Sequence, residues 1–116
     1  MTPIIDRSVL DELRTLGGPG DDLLGEVIGV FLAEGPGQVR RVNEALASRD
    51  APAIQRAAHQ LKGSALGVGA GQLAAAAAAV ELAARAADVE RAISAGAGLD
   101  AAFETARVAL TLQLSP

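Results

Sequence analysis

Ala51-Pro52-Ala53-Ile54-Gln55-Arg56-Ala57-Ala58-His59-Gln60-Leu61-Lys62-Gly63-Ser64-Ala65-Leu66 reads as one amphipathic helix. Asp50 before it suits an N-cap, and Pro52 falls in the first turn, where a missing N–H does little harm. On a wheel of about 100° per residue, Ile54, Ala57, Leu61 and Ala65 lie about 160° to 240° away from His59. The apolar face is therefore opposite His59, which points outward from the middle of a helix fixed to a core. Lys62 and Gly63 share its surface at i+3 and i+4, and Arg56 and Gln55 lie one turn before it.

Turn signals on either side cut the chain into further helical segments. Asp6 can cap a short helix carrying Val9, Leu10, Leu13 and Leu16, which Gly17-Gly18-Pro19-Gly20 ends. A second segment starts near Asp21 and carries Leu24, Val27, Ile28, Phe31, Val39, Val42 and Leu46 at helical spacing. Gly35-Pro36-Gly37 inside it predicts a kink or a short break. After the third helix, Gly67-Val68-Gly69-Ala70-Gly71 makes a connection. A fourth helix over about Gln72 to Ala86 turns Leu73, Ala76, Ala77, Val80, Ala83 and Ala84 to the core. The last begins near Asp88 and keeps a seam of Val89, Ala92, Gly96, Leu99, Phe103, Ala106 and Leu110. Gly96 and Gly98 each weaken its middle by about 1 kcal/mol against Ala, so one helix or two pieces fit the pattern. Four long helices joined by short loops, with a short extra N-terminal helix, predict an all-α antiparallel up-and-down four-helix bundle.

Composition agrees with this class. The 116 residues suit a single domain over 1–116, and 26 of them are Ala, the best helix former. A core so rich in Ala relies on close helix contacts rather than bulky side chains. There is no Cys and one His, so disulfides, thiolate sites and multi-histidine metal sites are excluded and no metal is expected. A net charge of −4 with no Trp, no Tyr and two Phe is wrong for a nucleic-acid binder. The longest apolar stretch, Leu73 to Val80, falls short of the ~20 residues that span a bilayer. The N-terminus lacks the regions of a signal peptide, so a cytoplasmic protein without a membrane partner is expected. A polar face on each helix favours a monomer.

Chemistry concentrates at His59. The chain uses Arg nine times and Lys once, so its only His and its only Lys lie three residues apart on one exposed face. Gly63 beside them costs about 1 kcal/mol against Ala in a helix interior, which suggests clearance for another molecule. A neutral imidazole is a nucleophile, and a neighbouring cation suits an incoming phosphoryl group. A hydrolase would need an orienting acid and a placed nucleophile, and Ser64 sits about 140° round the wheel from His59. A solvated His and Lys on a plain helix surface is the alternative.

Ala58-His59-Gln60-Leu61-Lys62-Gly63-Ser64-Ala65, followed by Gly69-Ala70, resembles the H-x-L-K-G-S-(A/S)…(L/V)-G-A signature of histidine-containing phosphotransfer (HPt) domains. Leu73 and Val80-Glu81 resemble that family's downstream Leu and (L/V)-E pair. Ile5-Asp6…Leu10…Leu13 and Phe31…Glu34-Gly35-Pro36…Val39 resemble its opening helix and its F-x-x-(D/E)-x-P element. The Asn common before the Gly-Ala pair is missing from Ala65-Leu66-Gly67-Val68, which puts the turn after the third helix in question.

The resemblance implies that His59 is the phosphoacceptor, through Nε2, for the phospho-aspartate of a response-regulator receiver domain. Lys62 then steadies the phosphoryl oxygens and Gly63 leaves room for the receiver. Glu81 either orients the imidazole through Nδ1 or merely ends an apolar stripe as a solvated carboxylate. Leu66, nearly in line with His59, belongs to the docking surface with Gln55 and Arg56, or else covers a loop.

A phosphorelay intermediate passing phosphate between receivers follows, with a hybrid or chemotaxis-type histidine kinase upstream. No ATP-binding fingerprint is present, so no kinase activity of its own and no cofactor are expected, and the Mg²⁺ of transfer belongs to the receiver. One rival is the amino-terminal phosphotransfer domain of a chemotaxis-type kinase. Met1 and Pro116 as ends favour a free-standing protein, though an excised domain reads the same. A second rival is a non-catalytic helical binding module.

Overall fold

Aspartates open four of the helices. Asp6, Asp22, Asp50 and Asp88 accept from the backbone N–H of Ser8, Gly25, Ala53 and Arg91, satisfying donors that a helix start leaves free. The computed structural model describes residues 2–114; Met1, Ser115 and Pro116 of the domain expected over 1–116 lie outside the described residues. Within them run α1 (Arg7–Leu16), α2 (Leu23–Ser48), α3 (Ala51–Gly67), α4 (Gly71–Arg85), α5 (Val89–Gly96) and α6 (Leu99–Gln113). No strand occurs among the described residues. α2, α3 and α4 follow one another through short turns, as antiparallel neighbours do. α5 and α6 in series fill the fourth position, each against both α2 and α4.

The last segment is thus two helices, parted at Ala97-Gly98. The second helix is capped one residue after Asp21, near which its start was expected. Asp22 is its cap, while the Asp21 carboxylate accepts from Gly18 N–H at 3.2 Å and closes the preceding turn. Leu16, at the end of α1 where the chain turns away, is 73% exposed and outside the core. Val9, Leu13, Val27, Ala76 and Val89 sit half-buried at its margin.

α2 runs unbroken through Gly35-Pro36-Gly37, without the break the sequence allowed. Gly35 serves packing instead. A Cβ built there meets Phe103 Cε1 at 2.5 Å and Cζ at 2.8 Å, so the missing side chain lets the Phe103 ring lie on the α2 backbone. Phe31 meets the same ring at a centroid distance of 5.6 Å. Gly35→Ala is expected to destabilise by about 1–3 kcal/mol, the usual cost of overpacking, despite Ala's better helix propensity. Urea unfolding measures this, and an unchanged or raised midpoint contradicts it.

Leu61, Ile54 and Ala58 of α3 and Leu73, Ala77 and Val80 of α4 are fully buried against each other and against Ile28, Val42 and Leu110. Their seam is built of small and branched residues, which brings α3 and α4 close. The turn between them passes through Gly69 at a φ of +72°, a left-handed conformation that Gly adopts without the clash a Cβ brings. Gly69 O accepts from Asp6 N–H at 2.7 Å, and Gln72 Nε2 donates to Thr2 O at 3.2 Å. The N-terminal segment is tied across this turn. Among the described residues no helix is long and apolar enough to cross a membrane.

Candidate functional site

Burial of Ala58 and Leu61 on either side of it turns His59 outward from α3, with its side chain 68% exposed. Across the seam, Val80 and Ala84 fix α4 in the core and carry Glu81 inward with them. Glu81 is 3% exposed and faces three donors. His59 Nδ1 lies 2.7 Å from Oε2, Lys62 Nζ 2.7 Å from Oε1 and Arg85 Nη2 3.1 Å from Oε2. A buried carboxylate without partners is costly, so this one is kept in place by the groups that neutralise it.

The Lys62 ammonium, by its hydrogen bond, holds the Glu81 carboxyl below the usual carboxylate range; burial opposes this and the His59 contact adds to it. A carboxyl with a lowered folded pKa stabilises the fold at pH above its ordinary value of 4.5 and loses that contribution as pH falls through the folded value. Thermal midpoints of wild type and Glu81→Gln are therefore expected to converge as pH drops from about 5 toward 3, with wild type losing more. Parallel curves contradict this.

With Nδ1 facing a carboxylate, the neutral ring carries its hydrogen there and leaves the Nε2 lone pair toward solvent. A Cβ built at Gly63 meets nothing within 4 Å, so the surface one turn along is open. Gln55 and Arg56 line a cleft of about 350 Å³ together with His59, Glu81 and Arg85. Leu66, 55% exposed, lies instead beside Lys62 in a neighbouring cleft walled by Ala75, Ala78 and the N-terminal Thr2 and Pro3. Ser64 faces away, in an apolar groove with Val27 and Phe31 of α2.

Of the residues singled out by sequence, Gln55, Arg56, His59 and Glu81 thus line one cleft and Lys62 and Leu66 another, with the Lys62–Glu81 ion pair between them, and Gly63 lines neither. Arg85 is the residue that sequence reasoning passed over. Its signal was the i,i+4 spacing from Glu81, where an acid followed by a base forms an ion pair on a helix. Among the described residues no group of three or more His, Cys, Asp or Glu could hold a metal ion.

Comparison with known proteins bears on the family and the fold. The sequence profile of the Hpt domain matches residues 26–109. Histidine-containing phosphotransfer protein B of Pseudomonas aeruginosa PAO1 superposes with a TM-score of 0.85 at 25% identity, over 96% of this chain and 94% of that one. MtHPt2 of Medicago truncatula (0.80, 19%, over 94% and 76%) and ZmHP2 of maize (0.78, 20%, over 97% and 88%) share the fold. No curated protein sequence matches.

Proposed function

Given that this chain belongs to the Hpt domain family, we propose that it is a phosphorelay intermediate that carries a phosphoryl group on His59 between receiver domains. The observation that supports this most is the outward imidazole with Nδ1 held by a buried carboxylate, which leaves one ring nitrogen to react. In the reaction, the Nε2 lone pair attacks phosphorus of the receiver's phospho-aspartate and an N–P bond forms. The P–O bond breaks with its electron pair left on the aspartate carboxylate. The second receiver reverses these steps.

Glu81 fixes the ring and its tautomer in this reading, and transfer depends mainly on such positioning and on charge. Lys62 adds positive charge beside the phosphoryl group, and Gly63 gives the receiver backbone room to approach. Gln55, Arg56 and Leu66 belong to the docking surface, a modest and transient interface. The unit is one domain over 1–116, working as a cytoplasmic monomer with a hybrid or chemotaxis-type kinase upstream and without nucleic-acid or membrane partners.

The test is transfer from a receiver charged on its aspartate, scored as acid-labile, base-stable phosphate on this protein. Label from the receiver is expected. Label obtained only from ATP with a chemotaxis-type kinase core favours the kinase-domain alternative, and none from either favours a binding module.

A further inference from the structure

Glu81 Oε2 takes two donors from one cleft, His59 Nδ1 and Arg85 Nη2, while Lys62 takes the other oxygen. Lys62 opens to the neighbouring cleft, beside Asp6 and Leu66. The cation that shares both an oxygen atom and a cleft with the imidazole is Arg85. Its side chain is 59% exposed, and among the described residues its one side-chain hydrogen bond is to this carboxylate.

Transfer changes the charge on each side of the ring. Attack by Nε2 leaves the Nδ1 hydrogen in place, so no proton moves and the ring becomes a cation. The phosphoryl group arrives with nearly two negative charges. Oε2 then has a charged partner in the ring itself and less need of the guanidinium, while new anionic oxygens appear in the same cleft. A planar guanidinium binds such oxygens in a fork, with stronger hydrogen bonds than neutral groups make. With the ring in the neutral form that attack requires, Glu81, Lys62 and Arg85 together carry one net positive charge. The cationic ring and the phosphoryl group bring that total close to zero.

We infer that Arg85 is a phosphoryl-binding residue: it is held by Glu81 at rest and turns to the phosphoryl oxygens once His59 is phosphorylated. This rests on the phosphoacceptor reading of His59. Glu81 in this account keeps a mobile cation within reach of the reacting nitrogen.

The test is the phosphoryl partition between this protein and a charged receiver for wild type, Arg85→Ala and Arg85→Lys. Arg85→Ala is expected to shift the partition toward the receiver by about tenfold, the low end for a hydrogen bond to a charged group, since the site is exposed. Arg85→Lys recovers most of the shift, because it restores a cation at the end of α4. In wild type labelled with ¹⁵N-arginine, one guanidinium signal, absent from Arg85→Ala, moves on phosphorylation. An unchanged partition in Arg85→Ala with a normally labelled wild type overturns the assignment alone. A wild type that takes no phosphate overturns the phosphoacceptor reading and this assignment with it.

Discussion

His59→Gln takes up no phosphate from a charged receiver under conditions that load the wild type, and its label falls to background. His59 is the sole histidine, so no second imidazole can substitute. Ser64 faces the α2 groove and offers no nucleophile on the same surface. The substitution does little to the fold. His59 is mostly exposed, and surface changes of this kind stay within about 0.5 kcal/mol, with somewhat more where a hydrogen bond to Glu81 is lost. Helix content by circular dichroism and the thermal midpoint verify that the lost label is a lost nucleophile. A His59→Gln protein that still acquires acid-labile phosphate contradicts the account.

Gly63→Gln separates the chemistry from the docking, because its two effects have opposite signs. A Cβ at Gly63 meets nothing in this chain, and φ there lies outside the left-handed region, so a side chain is accepted without strain. Replacing Gly by a better helix former stabilises an exposed helix position by up to about 1 kcal/mol. The added side chain nevertheless stands one turn from the imidazole, in the path of any protein that brings a phospho-aspartate to Nε2. Transfer from a receiver is expected to fall by tenfold or more, on the order of the loss from one displaced contact at the reacting centre. A small donor such as phosphoramidate does not need that path and still phosphorylates His59. A raised midpoint, normal labelling by phosphoramidate and impaired labelling by the receiver form the expected pattern. Equal impairment with both donors places the effect in the imidazole itself and contradicts the docking role.

Much of this was legible in α3 alone. One apolar face opposite His59 sufficed to turn the ring outward, and Asp6, Asp50 and Asp88 marked the helix starts they cap. Gly35-Pro36-Gly37 read as a kink or a short break because helix propensity was the visible signal there, and the helix is not broken. The use of Gly35 lies out of sight in the local sequence: Phe103, 68 residues along the chain, occupies the space of the missing side chain. Gly69 and Gly71 likewise read as a plain loop. A Cβ on Gly71 would come within 2.5 Å of Pro3 O, and one on Gly69 within 2.8 Å of Asp6 O, so both glycines are set by the N-terminal segment.

Glu81 marks the limit of sequence reasoning most clearly. Whether it reaches His59 or solvent depends on the register of α4 against α3, which buried Leu61, Ala77 and Val80 set together. That register is a property of the packed pair and of neither helix alone. Arg85 follows from it, since its bond to Oε2 matters only once Oε2 is known to face His59.

A single histidine makes the central claim open to direct observation. Protein labelled with ¹⁵N in its imidazole shows two ring nitrogens and no others of that class. After loading from a charged receiver, the account predicts phosphorus coupling at Nε2, while Nδ1 keeps its hydrogen and its contact with Glu81. Phosphorus coupling at Nδ1, or phosphate on the protein with no change in either ring nitrogen, would contradict it.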